Sequence, residues 1–309
     1  MTELQTMDTG TELRKNIKTS GMFVFVTAIT VLFLSSSGGV NGANILFASP
    51  ASNPYIPSHV RLASVLSREL VQRGHRVVVL SSSIVKDLGY SAGSYSEVIT
   101  FDLPLDEDVY LHRHERLFDL SVRNEASMQE LMEFFQNTTD HCGYLWRDQA
   151  ALKRLKDEKF DMVILNPFGA CEFLLHCYLD KIPFAAFTPT TKYPSFNEDI
   201  FHMPSPSSYV PGWLSNGFTD HMTFVQRAQN FLSRTLGGVF MYFTMVAAYN
   251  VHKEESNLCP EMTLSELMGK ADLWLANTDI ALNFPHPYTP NYVPIGGLMA
   301  EPSKPLPKV

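Results

Sequence analysis

The chain is short of positive charge. Its 24 Lys and Arg stand against 32 Asp and Glu, a formal net charge of -8. A nucleic-acid binder needs clustered cations for the phosphate backbone. Neither a basic excess nor a basic stripe with interleaved aromatics is present, so nucleic acid is not expected as a partner. Charge of both signs is scarce, at 18%, while 45% of residues are hydrophobic. That balance argues against global disorder and supplies a sizeable core. No segment recurs at a fixed period, which argues against a solenoid or propeller. Cysteine is rare, four in all, and none has the C-x-x-C spacing of a zinc site. Long apolar runs are lacking too. Met22 to Leu34 is 13 residues, against the ~20 that span a bilayer as a helix, and no spanning run is expected between it and Val309.

What the first forty residues do contain has an order. Arg14, Lys15 and Lys18 precede the apolar run, and the small residues Ser35 to Gly39 and Val40-Asn41-Gly42-Ala43 follow it. Basic, apolar, small is the arrangement of a secretory signal, so residues 1–42 read as a signal segment cut near Gly42 or Ala43. An uncleaved anchor is the alternative. Export makes disulfides possible among Cys142, Cys171, Cys177 and Cys259, with three pairings that spacing does not separate. Buried small side chains are a simpler reading of them than a redox role. Asn137-Thr138-Thr139 is the sequon with a permitted middle residue, so a glycan is expected on Asn137.

The 309 residues suffice for one large domain or two ordinary ones. Asn44 to Ser49 reads as a short apolar strand. Ser58 can cap a helix from about His59 to Arg73, with Leu62, Val65, Leu66, Leu70 and Val71 at helical spacing and Gly74 as its stop. Arg76 to Leu80 is a second buried strand. Strand, helix, strand is a βαβ unit and implies a parallel sheet. Residues 81–159 are less regular, with an acidic patch at Asp102 to Asp108 and a helix over Ser127 to Phe135. A second βαβ signal runs from the strand at Phe160 through a helix at Ala170 to Leu179 to a strand at Pro183 to Thr188. Pro189 to Pro211 is loop. A helix is expected over Met222 to Phe231, and Leu236 to Val251, uncharged throughout, reads as a buried helix because it lacks the basic face of interfacial helices. Asp272 to Ala276 and Val293 to Ile295 are further strands. Residues 301–309 hold three prolines and read as the start of a linker.

Four segments, in order, carry a resemblance. They are SHVRLASVLSRELVQRGHRVVVL, KFDMVILNPFGACEFL with IPFAAF, PSPSSYVPGWLSNGFTDHMTFVQRAQN, and DLWLANTDIALNFPHPYTPNYVPIGGLMAEPSKPLPK. Together they resemble the UDP-glucuronosyltransferase branch of the UDP-glycosyltransferases. The resemblance implies a Rossmann-like parallel sheet with flanking helices, the N-terminal domain of a GT-B glycosyltransferase, over residues 43–300. It also implies hexosyl transfer, glucuronosyl or glucosyl, from a UDP-sugar to a hydroxyl of a small hydrophobic acceptor. The UDP-sugar would be a co-substrate held mainly by a C-terminal donor half whose signature is not in this sequence. No other cofactor and no metal is implied. The setting would be the lumen of the endoplasmic reticulum, with membrane association of a full-length form and homo- or hetero-oligomers with related transferases. The alternative is a non-catalytic short form that binds lipophiles or pairs with full-length relatives.

Two residues would carry the chemistry. His59 follows the first strand at the start of the next helix, where α/β sheets place ligands. The positive helix end disfavours imidazolium, leaving a neutral ring able to accept a proton. By resemblance His59 matches the family's catalytic base; on position alone, a histidine filling a helix end is the commoner reading. Asn166 ends the strand FDMVILN, where the family usually has an Asp that holds the base. An amide can accept from the ring N–H but brings no negative charge, and if it presents its NH2 it selects the other tautomer. His75, at the far end of the same helix, reads as structural. His112 and His114, amid Arg113, Glu115 and Arg116, read as a solvated face rather than a metal site. Glu172 is a weaker candidate for a substitute carboxylate. Phe101, Phe134, Phe135 and the stretch Phe187 to Tyr193 are candidate walls of an acceptor pocket.

Overall fold

A computed structural model describes residues 42–48, 57–84, 93–106, 127–167, 170–188, 204–212, 217–281 and 284–300, with 108, 112, 115–117, 119–120, 123 and 125 between. Residues 1–41, expected to be a signal segment, and residues 301–309, expected to begin a linker, therefore lie outside the described residues. The remainder, from Ala43, is one compact unit.

Its centre is a seven-stranded sheet in which every described pairing is parallel. The strands are β1 (Asn44–Phe47), β2 (Arg76–Ser82), β3 (Glu97–Phe101), β4 (Met162–Leu165), β5 (Phe184–Thr188), β6 (Leu273–Ala276) and β7 (Tyr292–Pro294). Spatial order is β3-β2-β1-β4-β5-β6-β7, the doubly wound order whose direction reverses between β1 and β4. The fold class read from the two βαβ units is the fold observed.

Side-chain alternation assigns the two faces. Ile45 and Phe47, with Val77 and Val79, turn toward α1 (Pro57–Gln72) and meet Leu62 and Ala63. Leu46, Val78 and Leu80 turn to the other face, where the larger core gathers α2 (Met128–Arg147), α3 (Gln149–Asp157), α4 (Leu174–Tyr178), α5 (Phe224–Met241), α6 (Ala247–Ser256) and α7 (Leu264–Met268). A buried period of two on strands covered from both sides is what a parallel sheet requires.

Several expectations need correction. The helix read over Ser127 to Phe135 runs on to Arg147. Its start is a capping box between Ser127 and Glu130, and its second half is held by Cys142, Leu145 and Trp146 in the core. Helix α3, capped by Asp148, and strand β3 stand in the stretch read as irregular. Both disulfides form, Cys142 with Cys171 and Cys177 with Cys259, each with Cα atoms 6.0 Å apart. The cysteines are thus paired rather than merely buried. Leu236 to Val251 is not a buried helix: Leu236, Val239, Tyr242, Phe243 and Val251 are each more than half exposed. Phe224–Ser256 is also one helical stretch long and apolar enough to cross a membrane by length and composition, contrary to the expectation that no such run exists.

At the amino ends of the strands, charged side chains tie neighbours together. Arg76 donates to Asn44 Oδ1 at 2.8 Å, to Glu158 at 2.8 Å and to Glu97 at 2.6 Å, and Arg154 also pairs with Glu97. All are partly exposed, so each pair adds little stability alone, though a network does better than isolated pairs.

Candidate functional site

The reversal of strand order leaves a crevice outside the carboxyl ends of β1 and β4. Both sequence-predicted residues sit there. His59 lies in the first turn of α1, the helix that follows β1, and Asn166 is the residue after β4. Because β1 and β4 pair in register, Phe47 against Ile164, residues 107 apart in sequence are brought side by side. Asn166 Nδ2 lies 3.0 Å from His59 Nδ1.

That contact has a direction. With its NH2 toward the ring, Asn166 donates to Nδ1, which puts the ring's own proton on Nε2. Exchange of the amide oxygen and nitrogen would let Oδ1 accept from Nδ1–H and leave Nε2 as the basic atom. A single amide rotation thus selects between a ring that donates toward the crevice and one that accepts there. Asn166 is buried and His59 only partly exposed. Burial pushes the His59 pKa down to about 4, so the ring is neutral at neutral pH. The direction is the one expected from the helix end, but its cause is desolvation.

The other candidates separate from this pair. His75 accepts from the backbone N–H of Ala43 at 3.1 Å, which fastens the turn before β2 to the start of β1, the structural role expected of it. Glu172 lies in the 3-10 turn Ala170–Phe173 and is fully enclosed. The same turn carries Cys171, and the disulfide to Cys142 anchors the chain just beyond Asn166 to α2. Phe101 and Phe187 are core as well, at 1% and 0% exposure. The side chains of Phe134 and Phe135 and residues 189–193 lie outside the described residues, as does His114. His112 is exposed, and among the described residues no group of three His, Cys, Asp or Glu is placed to hold a metal ion. Asn137 sits within α2, half-buried.

A groove of about 920 Å³ opens elsewhere, lined by His176, Lys181, Glu261, Glu266, Lys270 and Asp272. Lys181 and Asp272 precede β5 and β6, so this groove lies at the amino ends of the strands, away from the crevice that holds His59. Its mixed charge and its place on the sheet give it no part in the chemistry of the His59–Asn166 pair.

With this geometry in place, comparison with known proteins is decisive. The family model described as UDP-glucoronosyl and UDP-glucosyl transferase matches residues 53–309. The chain belongs to that family. Human UDP-glucuronosyltransferase 3A1 is 36% identical over 259 residues, 81% of this chain and 47% of the relative. The 2-hydroxyacylsphingosine 1-beta-galactosyltransferase of Mus musculus is 28% identical over 285 residues, 91% of this chain and 50% of the relative. A solved glycotransferase of kitacinnamycin aligns with a TM-score of 0.47 at 15% identity, covering 82% of this chain and 51% of that one. The chain therefore spans about half the length of the UDP-glycosyltransferases it matches. In this UDP-glycosyltransferase chain, the signals that sequence reasoning missed are local ones: the S-x-x-E box before α2 and the alternation of Glu97–Phe101, both readable in principle.

Proposed function

We propose that residues 43–300 are the acceptor-binding domain of a UDP-sugar-dependent glycosyltransferase of GT-B architecture, with His59 as the general base. The observation that carries this is the 3.0 Å contact between His59 and Asn166 at the switch point of the sheet. A neutral imidazole at that place takes the proton from an acceptor hydroxyl as its oxygen attacks the anomeric carbon of the sugar. The new C–O bond forms as the bond from the anomeric carbon to UDP breaks, and the leaving diphosphate keeps the electron pair. The sugar nucleotide would be held mainly by a C-terminal half, and residues 301–309 would begin the link to it.

A small hydrophobic acceptor agrees with the mouse relative, whose name gives a hydroxyacylsphingosine as the group glycosylated. Glucuronosyl and glucosyl transfer both agree with the family description. Residues 1–42 act as an export signal removed near Ala43, the working compartment is the lumen of the endoplasmic reticulum, and Asn137 carries a glycan; mass spectrometry of the chain secreted from eukaryotic cells tests these together. Association with related transferases would supply a donor half in trans.

A second reading starts from the same contact taken with Asn166 Nδ2 as donor to Nδ1, 3.0 Å away. So oriented, the amide holds the tautomer that cannot accept a proton at Nε2, and the chain binds lipophiles without turning them over. Turnover with an added donor half separates the readings, and calorimetry tests what they share. Acceptor-like phenols should bind this chain while UDP-sugar binds negligibly, and a donor half should restore turnover under the first reading only. Micromolar UDP-sugar affinity for this chain alone would overturn the division of labour.

A further inference from the structure

Helix α5, the π turn Tyr242–Val246 and helix α6 form one helical stretch from Phe224 to Ser256. One side of it is committed to the fold. Asn230, Ser233, Phe240, Thr244, Met245, Tyr249 and His252 are buried, and the side chain of Asn230 bonds the backbone at Ser207, Val210 and Gly212. The opposite side is apolar and open. Phe224, Val225, Phe231, Leu232, Leu236, Val239, Tyr242, Phe243 and Val251 are 51–80% exposed. At 100° per residue the positions from Phe224 to Phe243 fill a strip roughly 140° wide, opposite the buried side. The extra residue of the π turn turns the following helix back by about 100°. That keeps Tyr249 and His252 on the buried side and returns Val251 to the strip. The ridge is about 40 Å long.

We propose that this ridge rests in the surface of a lipid bilayer, lying along it with the buried side uppermost. Three quantities choose the occupant. First, nine large side chains, each more than half exposed, present on the order of 1,000 Å², well above the few hundred Å² that soluble monomers show as one patch. Second, a protein partner would form about one hydrogen bond per 100–200 Å², so ~5–10 polar groups are needed. Between Phe224 and Val251 the exposed polar side chains, among those described, are Arg227, Gln229, Thr235 and the hydroxyl of Tyr242. The Thr235 hydroxyl already donates to Phe231 O at 3.0 Å. Acyl chains ask for no such groups. Third, the strip is about twice as wide as the seam that two paired helices share, which suits a plane better than a second helix. The stretch does not cross the bilayer, because its other side is packed on the sheet domain. Binding should not need anionic lipid, since Arg227 and Arg234 are the charged residues from Phe224 to His252 and the guanidinium of Arg234 is turned inward to donate to Ser205 O. This inference is independent of the sugar chemistry proposed above.

The test uses the compact unit from Ala43 to Val309, so that the apolar run Met22 to Leu34 contributes nothing. Flotation with phosphatidylcholine vesicles should carry this chain upward, unchanged by high salt. The triple variant L232Q/L236Q/F243Q should lose at least about tenfold in vesicle partition with its circular dichroism and both disulfides intact. Ile280→Gln, which removes an exposed apolar side chain elsewhere, should float like the parent. Leu236→Trp gives an arm that does not depend on a heavily altered ridge: its emission should be quenched by phosphatidylcholine with brominated acyl chains. The proposal is overturned if the parent chain stays with the aqueous fraction or if salt strips it from vesicles. It is equally overturned if the triple variant splits a solution dimer, seen by light scattering, while flotation is unchanged.

Discussion

Asn166→Asp should raise the pKa of His59, and the size of the rise follows from the geometry. The parent ring sits at about 4 because burial penalises its charge, and the amide beside it at 3.0 Å offers no opposing charge. A carboxylate in the same place would stand ~4 Å from the centre of the imidazolium, worth ~4 kcal/mol at an effective dielectric of about 20. His59 is partly exposed, so solvent screening removes roughly half of that. What remains is ~2 kcal/mol, about 1.5 pKa units, which brings the ring most of the way back to an ordinary imidazole. The carboxylate would also fix the proton on Nδ1 and free Nε2. Ring 15N NMR of the Ala43–Val309 chain reads both the titration and the tautomer. Asn166→Ala serves as the control, since it removes the amide without adding charge. A rise of less than about half a unit in Asn166→Asp, or an equal rise in Asn166→Ala, would refute the pairing.

Further outcomes are expected. His59 binds fewer protons folded than unfolded between about 4 and 6.5, so stability should climb as pH rises through that window and be full above it; denaturant titrations should show the slope and its loss in His59→Gln. Gly143→Ala should destabilise by ~2 kcal/mol or more, because a Cβ there would meet the buried His252 ring at 2.4 Å, and thermal melts will show it. Replacing Cys177 and Cys259 by Ala opens a bridge across 82 residues and should cost about 2–4 kcal/mol. Non-reducing peptide mapping of the parent should find Cys142 with Cys171 and Cys177 with Cys259. Ser127→Ala removes the cap of α2 and should cost ~1 kcal/mol in the same melts.

The parts of the fold that were legible are those where period and punctuation agree. Leu62, Leu66 and Leu70 on α1, flanked by the apolar runs of β1 and β2, named a βαβ unit without ambiguity. The second half of α2 was not legible because Asn137, Thr138, Thr139 and Asp140 are poor helix formers; the packing of Leu145 and Trp146 and the bridge at Cys142 override that preference. Leu236 to Val251 misled for a different reason. An uncharged helix usually means burial on all sides, yet composition does not say what covers a face, and here one side is left open. The meeting of His59 and Asn166 was readable because each follows a strand of a βαβ unit, and parallel strands put such positions at one end of the sheet. The direction of the Asn166 amide was not, since it depends on neighbours that the sequence does not order.

The most direct test of the central claim is the turnover number of His59→Ala. A donor half from a UDP-glucuronosyltransferase, joined after Lys308, should give a transferase for a weakly acidic phenol. If His59 is the base, His59→Ala should lower kcat by about 10²–10⁴, leave the KM for the UDP-sugar unchanged, and lose less with strongly acidic phenols, which need little help in giving up a proton. A kcat within about threefold of the parent for the weakly acidic phenol would show that His59 only fills the end of its helix.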